Sequence, residues 1–131
     1  MSFDQIERGV LIEGFPNYEI TNFGRVFNVK TGREMTLSPT MSGDLTVGLV
    51  RDGIQYRRSV KNLVARAFVP GETSIYDTPI QIDRDKYNLH VSNIVWRPRW
   101  FAIKYALQDF EYIQLRTANM HYNERRRVSN S

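Results

Sequence analysis

The first half of the chain alternates apolar and polar side chains in short runs broken by glycine turns, the pattern of half-buried antiparallel strands. Tyr18-Glu-Ile-Thr21, Arg25-Val-Phe-Asn-Val29 and Glu34-Met-Thr-Leu37 are predicted as small strands, joined by tight turns at Asn22-Phe-Gly24 and Lys30-Thr-Gly-Arg33. Residues 45–50 and 54–58 flank Arg51-Asp-Gly53, and Asp-Gly supplies the positive φ angles of a primed two-residue turn. This is the clearest hairpin in the sequence. From Ser59 the period lengthens to that of a helix, with Val60, Leu63, Val64, Ala67 and Phe68 on one stripe. Ser59 is a natural N-cap and Pro70-Gly71 a natural stop. The expectation is a helix on the sheet, with Val60, Leu63, Val64 and Phe68 buried beneath the hairpin.

Residues 71–79 read as a loop, Ile80–Ile82 as a short strand, Asp83–Asn88 as a polar turn, and Ile94-Val-Trp96 as another strand. Pro98 suits the first turn of a helix, and Trp100 to about Asn119 has the length and apolar spacing of one. The predicted class is therefore α+β: a small antiparallel sheet and short helix in 1–58 and just beyond, a strand-turn-strand element with a long C-terminal helix within 59–120, and a basic tail over 121–131.

With 131 residues, 41% of them hydrophobic, there is material for one real core. There is no cysteine, so disulfides and thiolate zinc sites are excluded, and two histidines cannot build a histidine-based structural cluster. No export signal or membrane-length apolar run is visible, which predicts a cytoplasmic protein without a membrane partner. The formal net charge is +4 and its distribution is uneven. Residues 1–60 carry seven basic and seven acidic side chains, 61–96 four of each, and 97–131 seven basic against three acidic. An excess confined to one end suits a polyanion partner, and equally a solubilising tail.

Two stretches resemble a known family. Gly14-Phe-Pro-Asn-Tyr-Glu-Ile-Thr-Asn-Phe-Gly-Arg-Val26 is similar to the opening signature of the nuclease-associated modular domain of the fourth type, a small DNA-binding module attached to phage and intron-encoded HNH homing endonucleases. Leu63-Val-Ala-Arg-Ala-Phe68 resembles the helix that follows that module, and Asp83-Arg-Asp-Lys-Tyr-Asn-Leu-His-Val-Ser-Asn-Ile-Val-Trp96 resembles the asparagine-rich turn and second strand of the HNH motif.

The resemblance implies a ββα-metal core gripping a divalent ion such as magnesium, with a metal-binding Asp and a general-base His at the end of the first strand, and a second ligand, an Asn, six residues past the tryptophan. Carried onto this chain, those positions hold Ile80, Gln81 and Ala102; only Asn93, the central asparagine, is retained. Isoleucine and alanine offer no oxygen to a hard cation, and glutamine is no base near neutral pH. The expectation is a site with no catalytic residue and no metal or other cofactor.

The leading reading is thus a non-catalytic, DNA-binding protein of phage or mobile-element origin, a pseudo-enzyme that contacts double-stranded DNA through Arg25, Arg57, Arg58, Lys61, Arg97, Arg99 and the run Arg125, Arg126, Arg127. A second reading is a module that binds and modulates a host protein, favoured by scattered basic residues and an exposed apolar patch. A third is a living nuclease with a rebuilt site, which requires Asp83, Asp85 and His90 to converge. Trp96 and Trp100 are expected as core or helix-face anchors.

Overall fold

The computed structural model describes residues 5–107 of the chain. Those residues fall into two units, one ending at Arg99 and the other beginning at Trp100. The first unit holds nine strands and the first helix. Strands β1 (Gly9–Ile12), β2 (Phe15–Thr21), β3 (Val26–Asn28) and β4 (Arg33–Glu34) form one antiparallel sheet in chain order. Strands β5 (Ser38–Pro39), β6 (Leu45–Arg51) and β7 (Ile54–Ser59) form a second, and β8 (Thr78–Gln81) pairs with β9 (Ile94–Arg97) in a third. Helix α1 (Val60–Phe68) follows β7 without a loop.

The expected hairpin is present. Val50 pairs with Gln55 and Arg51 with Ile54, and the turn residues Asp52 and Gly53 take φ angles of 53° and 78°, the primed geometry that matches strand twist. Because side chains alternate across a strand, Val47 and Leu49 enter the core while Val50 and Gln55 face out. The first sheet is larger than the sequence pattern predicts. β1 was not anticipated, and β4 and β5 are only two residues each, so the expected strand at 34–37 shortens to Arg33–Glu34.

Ser59 caps α1, its hydroxyl accepting from the Asn62 amide at 3.4 Å. The helix is rotated slightly from the expected phase. Val60, Val64 and Ala65 are fully buried, Leu63 and Phe68 are half-buried at its flanks, and Ala67 is exposed. The hairpin, β8 and β9 all pack against α1, which centres the stripe on Ala65 rather than Ala67. The core joins Ile20 and Val26 of the first sheet, Val47 and Leu49 of the second, and Ile94 and Trp96 of the third around this helix. Trp96 is buried, its indole N–H donating to the Val69 carbonyl at 2.8 Å beyond the end of α1. The boundary expected at 58/59 falls at the junction of β7 and α1, inside this unit.

The second helix, α2 (Arg99–Leu107), accounts for the described part of the long C-terminal helix; its expected continuation to Asn119 and the tail at 121–131 lie outside the described residues. Within α2, Phe101 and Tyr105 stack one turn apart with ring centroids 5.9 Å apart. Trp100 is 64% exposed, so only Trp96 of the two tryptophans is a core anchor.

Candidate functional site

The strand-turn-strand element carries the positions at which cleavage chemistry was sought. β8 pairs with β9 in antiparallel register, Ile80 opposite Val95 and Gln81 opposite Ile94. The twelve residues between them form a wound polar loop rather than a tight hairpin. Ile80 is buried and offers the loop only hydrocarbon. Gln81 is 6% exposed, and its amide nitrogen donates to the carbonyls of Asp85, Lys86 and Asn88 at 3.0, 3.2 and 3.0 Å. A buried amide nitrogen has two protons, so three acceptors saturate it. Gln81 is therefore the hub on which the loop is wound.

Asn93 closes the same loop from the other strand. Its carbonyl oxygen accepts from the Asp83 amide at 3.1 Å, and its nitrogen donates to Asp83 Oδ1 at 2.9 Å and to the Asn88 carbonyl at 3.0 Å. Asp83 also accepts from the Asp85 amide and from Asn88 Nδ2, both at 2.8 Å. Burial tends to raise the Asp83 pKa, but the hydrogen bonds from Asn88, the backbone and Asn93 outweigh it and hold the carboxyl below its ordinary range. Asp85 accepts from the Tyr87 amide at 3.0 Å. His90 caps the 3₁₀ turn Val91–Asn93, its Nδ1 2.8 Å from Ser92 Oγ, and its ring stacks on Phe23 at 5.1 Å.

Asp83, Asp85 and His90 are thus engaged in building the turn. Among the described residues no group of three His, Cys, Asp or Glu side chains is placed to hold a metal ion. The end of β8 does not fit a divalent cation: Ile80 carries no ligand atom, and the Gln81 amide is turned inward to carbonyls.

The described basic residues singled out from the sequence differ in their surroundings. Arg25 is held between Glu7 and Glu34 at 2.8 and 3.2 Å and lies 4.9 Å from the Phe27 ring centroid. Its charge is locally balanced. Lys61 is 3.6 Å from Asp44, which also binds Lys86 at 2.8 Å. Arg57 and Arg58 are adjacent on β7 and so point to opposite faces of their sheet. Arg57 makes no ion pair among the described residues. Arg97 is half-buried and donates to the Trp96 carbonyl at 2.7 Å, and Arg99 is exposed at the start of α2. Arg125, Arg126 and Arg127 lie outside the described residues.

One basic cluster escaped the sequence reading. Arg51 and Arg58 both lie against the Phe15–Tyr56 aromatic pair, at 4.7 and 4.8 Å for Arg51 and at 5.3 and 5.2 Å for Arg58. Arg51 also donates to the Gly14 carbonyl at 2.9 Å. The signal was available: a two-residue Asp-Gly turn sets the register that puts Arg51, Tyr56 and Arg58 on one face. Both guanidinium groups lie within cation–π range of the two rings, an arrangement that leaves N–H groups for an anion.

The Asp44 cluster ties the loop before β6 to α1 and to the wound loop. Burial tends to raise the Asp44 pKa; the Lys86 hydrogen bond and the Lys61 and Lys86 charges win and lower it. A carboxyl with a depressed folded pKa stabilises the fold above its unfolded pKa, and that contribution fades as pH falls through the folded value. Asp44→Asn is expected to cost about 0.5–1 kcal/mol at pH 7, discounted for the partly exposed setting. Urea denaturation from pH 7 down to about pH 3 should show the wild-type advantage shrinking below ~pH 4; an advantage that is constant with pH contradicts the network.

Comparison with known proteins agrees with this geometry. Residues 10–50 match the NUMOD4 motif. The chain is 24% identical to an uncharacterized HNH endonuclease of Acanthamoeba polyphaga mimivirus, an alignment that takes in 81% of this chain and 36% of that protein, so the chain spans about a third of its relative's length. A solved structure of DNA binding and cleavage by the HNH homing endonuclease I-HmuI shares the fold, with a TM-score of 0.68 and 22% identity over 84% of this chain and 66% of the other. The NUMOD4 match spans β1 through most of β6, while the likeness in fold to I-HmuI takes in most of the chain. The chain carries a NUMOD4 motif over residues 10–50, is similar to an HNH endonuclease, and has the fold of an HNH homing endonuclease.

Proposed function

We propose that this protein binds duplex DNA without cutting it, a pseudo-enzyme of viral or mobile-element descent that requires no divalent ion. The observation that carries the reading is the inward-turned Gln81 amide, which occupies three backbone carbonyls where the family's base would face substrate. DNA as partner is supported by the relationship to homing endonucleases and by the stacked, partly exposed arginines Arg51 and Arg58 beside Phe15 and Tyr56. Arg57, Arg97, Arg99 and the arginine run Arg125 to Arg127 supply further phosphate contacts. Arg25 and Lys61 contribute less, because nearby carboxylates already balance them.

The test combines cleavage and affinity. Supercoiled plasmid with magnesium or manganese is expected to stay uncut, since loss of a general base alone forfeits roughly 10²–10⁴ in rate. Duplex binding followed by fluorescence anisotropy should weaken linearly in log salt, and Arg51→Ala with Arg58→Ala should lower the slope by up to ~1.8, about 0.9 per phosphate contact. Metal-dependent nicking that His90→Ala abolishes defeats the non-catalytic reading. Absence of any salt-sensitive duplex binding tighter than about 10⁻⁴ M defeats the DNA reading.

A further inference from the structure

We propose that the groove between β1 and α1 is a docking site for an extended acidic–apolar segment of a partner protein, which adds to the first sheet as a strand beside β1. The groove shares Arg58 with the proposed DNA-binding cluster, but the proposal does not rest on DNA binding.

β1 is the outer strand of its sheet. The Arg8 carbonyl accepts from the Asn22 amide at 3.1 Å, so Arg8 and, by alternation, Val10 direct their backbone groups at β2. Gly9 and Leu11 therefore direct their N–H and C=O groups outward, and neither takes part in a backbone bond beyond the β1–β2 ladder among the described residues. Sheet edges are normally blunted by charge, proline, a bulge or cover; β1 has a register irregularity between Leu11 and Ile12, and Gly9 to Leu11 keep regular register with β2. β1 reads Gly-Val-Leu-Ile, with Val10 37% and Leu11 59% exposed.

The open edge borders a groove of about 540 Å³. Leu11, Leu63 and Ala67 give it an apolar wall; Arg58 and Arg66 line it with positive charge, against the single acid Glu13. Arg66 is 70% exposed and 3.9 Å from Glu72, a loose pair that a better-placed carboxylate displaces.

Three occupants are conceivable, and the chemistry selects one. A DNA backbone has no use for the apolar wall. A second copy of this chain brings its own Arg58 and Arg66 against the same charges. An extended segment alternating apolar and acidic residues satisfies the outward backbone groups, covers Leu11 and Leu63, and pairs with both arginines, the mode in which main-chain bonds give affinity and flanking side chains give specificity.

The probe is a fluorescein-labelled octapeptide of alternating valine and glutamate, with a valine–lysine octapeptide as control, titrated against the full chain by anisotropy. The acidic peptide is expected to bind roughly tenfold or more tightly than the basic one. Leu11→Pro, which removes one outward N–H and none of the β1–β2 bonds, should weaken it by about tenfold, the worth of one strand bond. Arg66→Glu, at an exposed helix position, should weaken it several-fold, and circular dichroism confirms that both variants are folded. Proton–nitrogen spectra should show the Gly9 and Leu11 amides shifting on titration. The proposal is overturned if the acidic peptide fails to bind below about 1 mM, if the basic peptide binds equally well, or if a folded Leu11→Pro chain binds unchanged. It is also overturned if sedimentation shows a wild-type dimer that Leu11→Pro converts to monomer, because the edge then serves a second copy. Loss of duplex binding in Arg51→Ala with intact peptide binding separates this surface from the DNA reading.

Discussion

Gly24→Ala is expected to destabilise the protein by about 2–5 kcal/mol, enough to lower the melting temperature by well over ten degrees in a domain of this size. Two costs coincide at this position. Gly24 has a φ of 86°, where an L side chain is strained, and a Cβ there would collide with Cβ of Leu89 and lie 3.0 Å from its carbonyl oxygen. Leu89 is buried and belongs to the wound loop, so it cannot move aside without disturbing the Gln81 and Asn93 bonds. Next to this contact the Val91 amide donates to the Asn22 carbonyl at 2.9 Å and His90 stacks on Phe23. Gly32 is the control: its φ is 73° but nothing lies within 4 Å of the added atom, so Gly32→Ala should cost only about 1 kcal/mol. Urea melts of the two variants test the difference. Equal losses would mean that the Asn22-Phe-Gly24 turn and the HNH-like loop do not form a tight joint.

Gln81→Leu is expected to cost about 1–3 kcal/mol despite the similar volume, because three loop carbonyls lose a donor and the Lys86 carbonyl loses the side-chain donor it has, at roughly 1–3 kcal/mol for a group left unsatisfied. The Lys86 carbonyl is the most exposed to this loss, since Asp85 and Asn88 each have a second donor. Gln81→His cannot reach three acceptors, so it should also destabilise. It should not nick plasmid with magnesium or manganese, because Ile80 and Ala102 still offer no ligand atoms. Denaturation, paired with hydrogen exchange at residues 85–88, reads the loop directly. A Gln81→Leu chain within ~0.5 kcal/mol of wild type, with exchange unchanged, shows that the amide is incidental to the loop.

Both results bear on what holds the loop between β8 and β9: a buried glutamine supplies a donor to three of its carbonyls, which makes position 81 a load point of the fold.

What was legible in the sequence followed local rules. The Asp52-Gly53 turn specifies the hairpin and its register because only positive φ angles match the strand twist there. Ser59 and the 3.6-residue period specify the start and approximate face of α1. The residue types at 80 and 102 offer no side-chain ligand atoms, which the sequence alone states. Other features depend on partners distant in the chain. β1 forms only because Val10 and Leu11 find Ile20 and Glu19, and its own four residues carry no strand signal strong enough to stand alone. The final burial of Ala65 over Ala67 is set by β8 and β9, which reach the helix after a long loop. Charge is the plainest case: in the sequence Arg25 and Lys61 count as free cations, whereas the folded chain brings Glu7, Glu34 and Asp44 to them, and pairing is a property of distance in space. Conversely, Arg51 and Arg58 gain meaning only when β2 carries Phe15 to Tyr56, and the groove beside β1 exists only once α1 lies along it. Sequence determined most of the elements and the side-chain types available at each position; tertiary structure decided which charges are balanced and which backbone groups of the described residues stay open.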